Sequence, residues 1–222
     1  MVLRAIVVAA ALAAAVSAAG VAPARAASGV ITAGDRIVIG DTTCSVAYVE
    51  RRNANGRTYA VTAGHCGRVG AKVVAPASGG IGSIVDAVVV KDGLHTGIDV
   101  ALVDFGTSVS PGTTVGSARW PVNRYALEWP LVGTEVCRSG ATTGTHCGVV
   151  VARHGMHQYL TSADMAPSRG GDSGGAVWLK PADADRDPIL IGIFLGSLPL
   201  GSGEVLGRFH GLVDAFSILG MI

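Results

Sequence analysis

Charge is scarce in this 222-residue chain: Asp, Glu, Lys and Arg make up 15% of it and sum to a net +1. With neither sign in excess, nothing points to nucleic acid or an anionic membrane surface as a partner. Cysteine is scarce too. The four cysteines include no Cys-x-x-Cys pair and the histidines are scattered, so a zinc site lacks its ligand spacing. Asp183, Asp185 and Asp187 resemble the start of a calcium loop, but the glycine and glutamate such a loop needs are missing, and they read as a solvated turn. No metal and no cofactor are expected. No stretch before the last dozen residues carries a 3.6-residue apolar period, and no repeat of solenoid length is present.

What the chain does have is glycine, 32 residues of it, between short Val-, Ile- and Thr-rich runs. Arg36–Ile39, Ser45–Val49, Tyr59–Thr62, Ile84–Val90, Val100–Phe105, Gly148–Val151 and Ile189–Phe194 read as strands, punctuated by turns such as Asn55-Gly56. This pattern predicts an all-β fold, with Leu212–Leu219 as a short closing helix. Gly106–Gly116, rich in Gly, Ser, Thr and Pro, reads as the connection between two β units of similar size.

Residues 1–26 read as a signal peptide: Arg4 precedes the apolar run Ala5–Ala19, and Ala24-Arg25-Ala26 supplies a small-x-small cleavage site. That run falls short of the ~20 residues needed to span a bilayer, so no stable membrane insertion is expected. Export would permit disulfides. Four cysteines allow three pairings, and the sequence alone does not choose among them; Cys44–Cys66 and Cys137–Cys147 are the local ones.

Gly171-Asp172-Ser173-Gly174-Gly175 is the most specific chemical signal. A serine hydroxyl becomes a nucleophile when a base takes its proton and donors receive the charge developing on the attacked carbonyl. Tight glycine turns would let the amides of Gly171 and Ser173 converge as an oxyanion hole. Ala63-Gly64-His65-Cys66 sets a histidine at a strand end, and Asp99 heads the otherwise apolar Val100-Ala101-Leu102, where a carboxylate needs a partner such as an imidazole. Gly171-x-Ser173-x-Gly175 also fits the nucleophile elbow of α/β-hydrolases. That elbow needs a strand–turn–helix, whereas Ala176-Val177-Trp178-Leu179 reads as a strand.

Thr62-Ala63-Gly64-His65-Cys66, then Asp99-Val100-Ala101-Leu102, then Gly171-Asp172-Ser173-Gly174-Gly175 resemble the motifs of the chymotrypsin-like serine peptidases in order and approximate spacing. The segment Cys137–Gly148 and the stretch Ile31–Asp35 resemble the bacterial streptogrisin and α-lytic type, so the likeness runs from about Ile31 to the C-terminus. It implies a trypsin-like peptidase domain over 27–222, built as two six-stranded antiparallel barrels at about 31–106 and 115–222. It further implies His65, Asp99 and Ser173 as a catalytic triad, and Arg138 as the buried cation beside Asp172. The implied protein is a secreted, monomeric serine endopeptidase acting on protein or peptide substrates; the alternative is a catalytically silent binding protein on the same scaffold.

Two departures bear on substrate preference. Relatives join a cysteine shortly before the nucleophile to one downstream, but here Pro167 stands near the first position and no cysteine follows Cys147. They also carry a serine in the strand after the nucleophile, where this chain reads Ile193-Phe194-Leu195-Gly196. Arg169 is a candidate for favouring acidic side chains, and Leu195, Leu198 and Leu200 for an apolar pocket or for core.

Overall fold

The computed structural model describes residues 29–92, 96–122, 125–126, 128–181, 183 and 186–222. The expected signal peptide at 1–26 and Asp185 lie outside the described residues.

The N-terminal half contains β1 (Val30–Ala33), β2 (Arg36–Ile39), β3 (Thr42–Ser45), β4 (Tyr48–Arg51), β5 (Thr58–Thr62), β6 (Lys72–Ala75), β7 (Gly80–Val89), β8 (Asp99–Gly106), β9 (Ser110–Val115) and β10 (Trp120–Pro121). The C-terminal half contains β11 (Glu135–Gly140), β12 (Gly144–His154), β13 (Gln158–Thr161), β14 (Ala176–Leu179), β15 (Ile189–Pro199), β16 (Val205–Gly211) and the helix α1 (Leu212–Ile218). Period-two burial marks strands with one wet face: in β2, Ile37 and Ile39 point inward while Arg36 is exposed. Strand β5 lies between β4 and β8 and is buried at every position.

The second half closes into a six-stranded barrel in the order β11-β12-β13-β16-β15-β14. The first half is a half-barrel, a seven-stranded sheet ordered β3-β2-β6-β7-β8-β5-β4, flanked by the three-stranded sheet β1-β9-β10. This is the chymotrypsin-like two-barrel arrangement, with one of its barrels open. The segment Gly106–Gly116 is more than a connection. It forms β9, because the fold supplies β1 as a parallel partner and β10 as an antiparallel one.

One apolar cluster runs through both halves. It joins Val61, Ala63, Val100 and Phe105 of the first to Trp178, Ile193, Leu195 and Phe216 of the second. A second cluster, including Val136, Tyr159, Phe194 and Phe209, fills the closed barrel. Cores pack at crystal-like density and resist sliding, so the shared cluster fixes the two halves against each other. Side chains that the chain separates by more than a hundred residues can then meet with fixed geometry.

Candidate active site

His65 stands in a single 3-10 turn, Gly64–Cys66, at the end of β5. The turn lies flat against the start of β8 because Gly64 has no side chain: a Cβ there would come within 2.8 Å of the Val100 backbone and 2.7 Å of Val89. Asp99, the first residue of β8, therefore reaches His65 twice. Its Oδ1 accepts the His65 amide at 2.7 Å, and its Oδ2 lies 2.7 Å from Nδ1. In a neutral ring, a carboxylate on Nδ1 favours the tautomer with the proton on that nitrogen and the lone pair on Nε2. Burial pushes the Asp99 carboxyl up, but the hydrogen bonds and charge of His65, together with the Arg208 guanidinium, outweigh it and hold the group below its ordinary value.

Ser173 is half-buried in the turn between the 3-10 segment Ala163–Met165 and β14. Gly174, at φ +80°, presses against the first half, where a Cβ would collide with Thr62 Oγ1, the Ser45 carbonyl and the Ala63 amide. The Ser173 turn thus abuts the strand that delivers His65. No hydrogen bond joins the Ser173 hydroxyl to His65 among the described residues, and catalytic contacts of this kind often tighten only when substrate is bound. The amides of Gly171 and Ser173 have no acceptor among the described residues.

Asp172 and Arg138 are both fully buried and lie 3.9 Å apart, from Oδ2 to Nη1. The charges are adjacent without a direct hydrogen bond. Thr143 joins them: its hydroxyl accepts from Arg138 Nη2 at 2.8 Å and donates to Asp172 Oδ2 at 2.8 Å. Asp172 also accepts the amides of Thr142, Thr143 and Arg169 at 2.9–3.0 Å. Burial raises its carboxyl, but these bonds prevail and leave it below its ordinary value.

Arg138 has further partners. It donates to the carbonyls of Met165, at 3.2 Å, and Pro167, and lies 4.5 Å over the Phe194 ring. Phe194, within the Ile193–Gly196 stretch, is fully buried against this cation. The segment before Ser173 is clasped as well. Ser168 and Ser197 share a hydrogen bond at 2.7 Å, and Ser197 donates to the Ala166 carbonyl. These contacts hold residues 166–168 against Ser197, near the end of β15. The two disulfides present are Cys44–Cys66 and Cys137–Cys147.

A cleft of about 420 Å³ opens beside His65 and Asp99, lined also by Val90, Gln158, Leu195 and Arg208. A slightly larger hollow, about 480 Å³, is lined by Tyr48, Glu50 and Tyr125 and holds none of the chemical candidates. The candidates therefore favour the former. Of the specificity candidates, Leu195 lines this cleft, Leu198 and Leu200 pack with Leu160 and Leu206, and Arg169 is exposed. Reading the sequence missed Thr143, Ser168, Ser197 and Gln158, since a hydroxyl or amide carries no pattern until its partner is known.

No family model matches the chain. Over 113 residues, half of this chain, it is 35% identical to streptogrisin-C of Streptomyces griseus, and the match covers 23% of that protein. Among solved structures, protease A of Thermobifida fusca superposes with a TM-score of 0.67 at 23% identity, over 86% of this chain and 96% of that one. A glutamic acid-specific serine protease, said to use a histidine triad in substrate binding, superposes with a TM-score of 0.66 at 25% identity, over 86% of this chain and 98% of that one. The chain resembles bacterial chymotrypsin-like serine peptidases, and its fold is theirs.

Proposed function

We propose that this chain is a secreted serine endopeptidase that hydrolyses peptide bonds through an acyl-enzyme. The observation that carries the proposal is the double grip of Asp99 on His65, which fixes the ring in the tautomer able to accept a proton at Nε2. His65 takes the Ser173 proton as the hydroxyl attacks the scissile carbonyl. The amides of Gly171 and Ser173 receive the oxyanion, while Asp99 steadies the imidazolium that forms. The proton on Nε2 then passes to the leaving amine, and a water repeats the sequence on the ester. Asp172 takes no part in proton transfer; it anchors the turn. The disulfides fit an oxidising compartment, and the enzyme acts as a monomer on protein or peptide substrates.

A fluorophosphonate probe tests the nucleophile directly. The expected result is labelling of the wild type and none of Ser173→Ala, with peptide cleavage lost in the same variant. A wild type that neither labels nor cleaves would favour a catalytically silent binding protein instead.

A further inference from the structure

Ser45, the last residue of β3, has no exposed surface, and each of its polar groups is engaged across the boundary between the halves or toward the His65 turn. Its amide donates to the Ser173 carbonyl at 2.7 Å. Its hydroxyl donates to the Gly171 carbonyl at 2.7 Å and accepts the Ala141 amide at 2.8 Å. Its carbonyl accepts the Thr62 hydroxyl at 2.7 Å, three residues before His65. The neighbouring Cys44 is bonded to Cys66, the residue after His65. One small residue is thus tied through its backbone toward the histidine turn and to Ser173, and through its hydroxyl to Gly171 and to the loop that holds Asp172.

The consequence lies in the peptide planes. Because each peptide is rigid, holding the Gly171 carbonyl fixes the plane between 171 and 172, and holding the Ser173 carbonyl fixes the plane between 173 and 174. The plane between them carries the Ser173 amide, so its rotation is restrained from both sides. The Gly171 amide adjoins the first fixed plane. The Asp172 amide, donating to the Arg169 carbonyl at 3.0 Å, holds that same plane from its other edge. Oxyanion donors act only when aimed before the charge develops, and this aim is set from the opposite half of the molecule.

We infer that Ser45 is a positioning residue for the oxyanion hole, its hydroxyl orienting the Gly171–Ser173 turn toward the carbonyl attacked beside His65. The inference rests on the serine-peptidase reading above. It makes Ser45 act on the transition state and not on substrate binding, which a simple stabilising hydrogen bond would not do.

The test is Ser45→Ala, which removes the hydroxyl and keeps the backbone bonds. The expected kcat falls about 10- to 100-fold, less than the roughly 100- to 1000-fold that outright loss of an oxyanion donor costs, while KM stays within about threefold. Affinity for a peptidyl boronic acid, which mimics the tetrahedral state, should fall by a similar factor, and affinity for the non-covalent product peptide should hold. Ser45→Gly removes the same hydroxyl without added bulk and serves if the alanine variant is not recovered. Ser45→Thr keeps the hydroxyl and should recover most of the boronate affinity. Wild-type kcat and boronate affinity in the alanine variant, with only a lower melting temperature, would overturn the inference while the peptidase reading stood. A wild type inactive toward both peptide and probe would overturn the two together.

Discussion

Asp99 and Asp172 are both held below the ordinary carboxylate range, yet by different means. Asp99 keeps 14% of its side-chain surface and depends on an imidazole that is itself exposed at 37%, whereas Asp172 and its cation Arg138 have none. The first carboxylate is paired with a group that can gain and lose a proton. The second is met by three amides, a threonine hydroxyl and a permanent cation. Such a difference separates a charge suited to a reaction cycle from one that holds a loop. It also separates what a neutral substitution should do at each place.

The largest effect is expected at Asp99→Asn. An amide in place of Oδ2 would donate toward Nδ1 and favour the wrong tautomer, so kcat for peptide hydrolysis should fall by about 10⁴-fold. The fold should melt near the wild-type temperature. Near-normal turnover in this variant would break the distinction between the two aspartates.

At the other site the effect should appear as stability. Arg138→Ala strands a buried carboxylate and should cost about 3–5 kcal/mol in denaturant unfolding, with activity lost as the nucleophile turn loosens. Thr143→Val removes only the bridging hydroxyl and should cost about 1–3 kcal/mol. If Thr143→Val were as unstable as Arg138→Ala, the bridging hydroxyl would weigh as much as the cation; if Arg138→Ala alone kept wild-type stability, Arg138 would be a bystander. Unchanged stability in both would mean that the three amides suffice.

The smallest expected effect sharpens the comparison through pH. Burial pushes the fully enclosed His210 imidazole below its ordinary value of 6.5; it stacks on His157 and lies near Asp214 and Asp99. The unfolded chain would bind a proton there below about pH 6.5 while the native chain resists, so this contribution to stability is present above 6.5 and declines as pH falls. Asp99 and Asp172 have lowered values, so their contribution is lost only at more acid pH, below the ordinary 3.8. Unfolding free energy followed from pH 8 to 3 should therefore decline in two steps. His210→Gln should remove the upper step, at most about 1.4 kcal/mol per pH unit, and leave the lower one. A single step near 4 would place no buried neutral histidine in the native state.

Much of this site was legible in the sequence because its chemistry sits in short motifs. A glycine before His65 and glycines on both sides of Ser173 are local requirements of tight turns, and an aspartate heading Val100-Ala101-Leu102 stands out against its apolar neighbours. The strand runs were legible for the same reason, since alternation and β-branching act within a few residues. Even there, Ser45–Val49 read as one strand is two, β3 and β4, with the break at Val46 and Ala47. The chain bends at that point because Ser45 and Ala47 bond to different partners, Ser173 and Val61.

The sequence by itself therefore determined the all-β class and the candidate serine, histidine and aspartate, and through the family resemblance it set Arg138 beside Asp172, while it left the cysteine pairing open. Tertiary structure alone decided that the first barrel stays open, that Thr143 stands between that buried pair, that Ser168 meets Ser197, and that Ser45 joins the halves. The physical reason is range. Motifs record what a residue needs from its neighbours in the chain, but a hydroxyl's partner across 126 residues, as between Ser45 and Gly171, exists only once the shared core has brought the two barrels together.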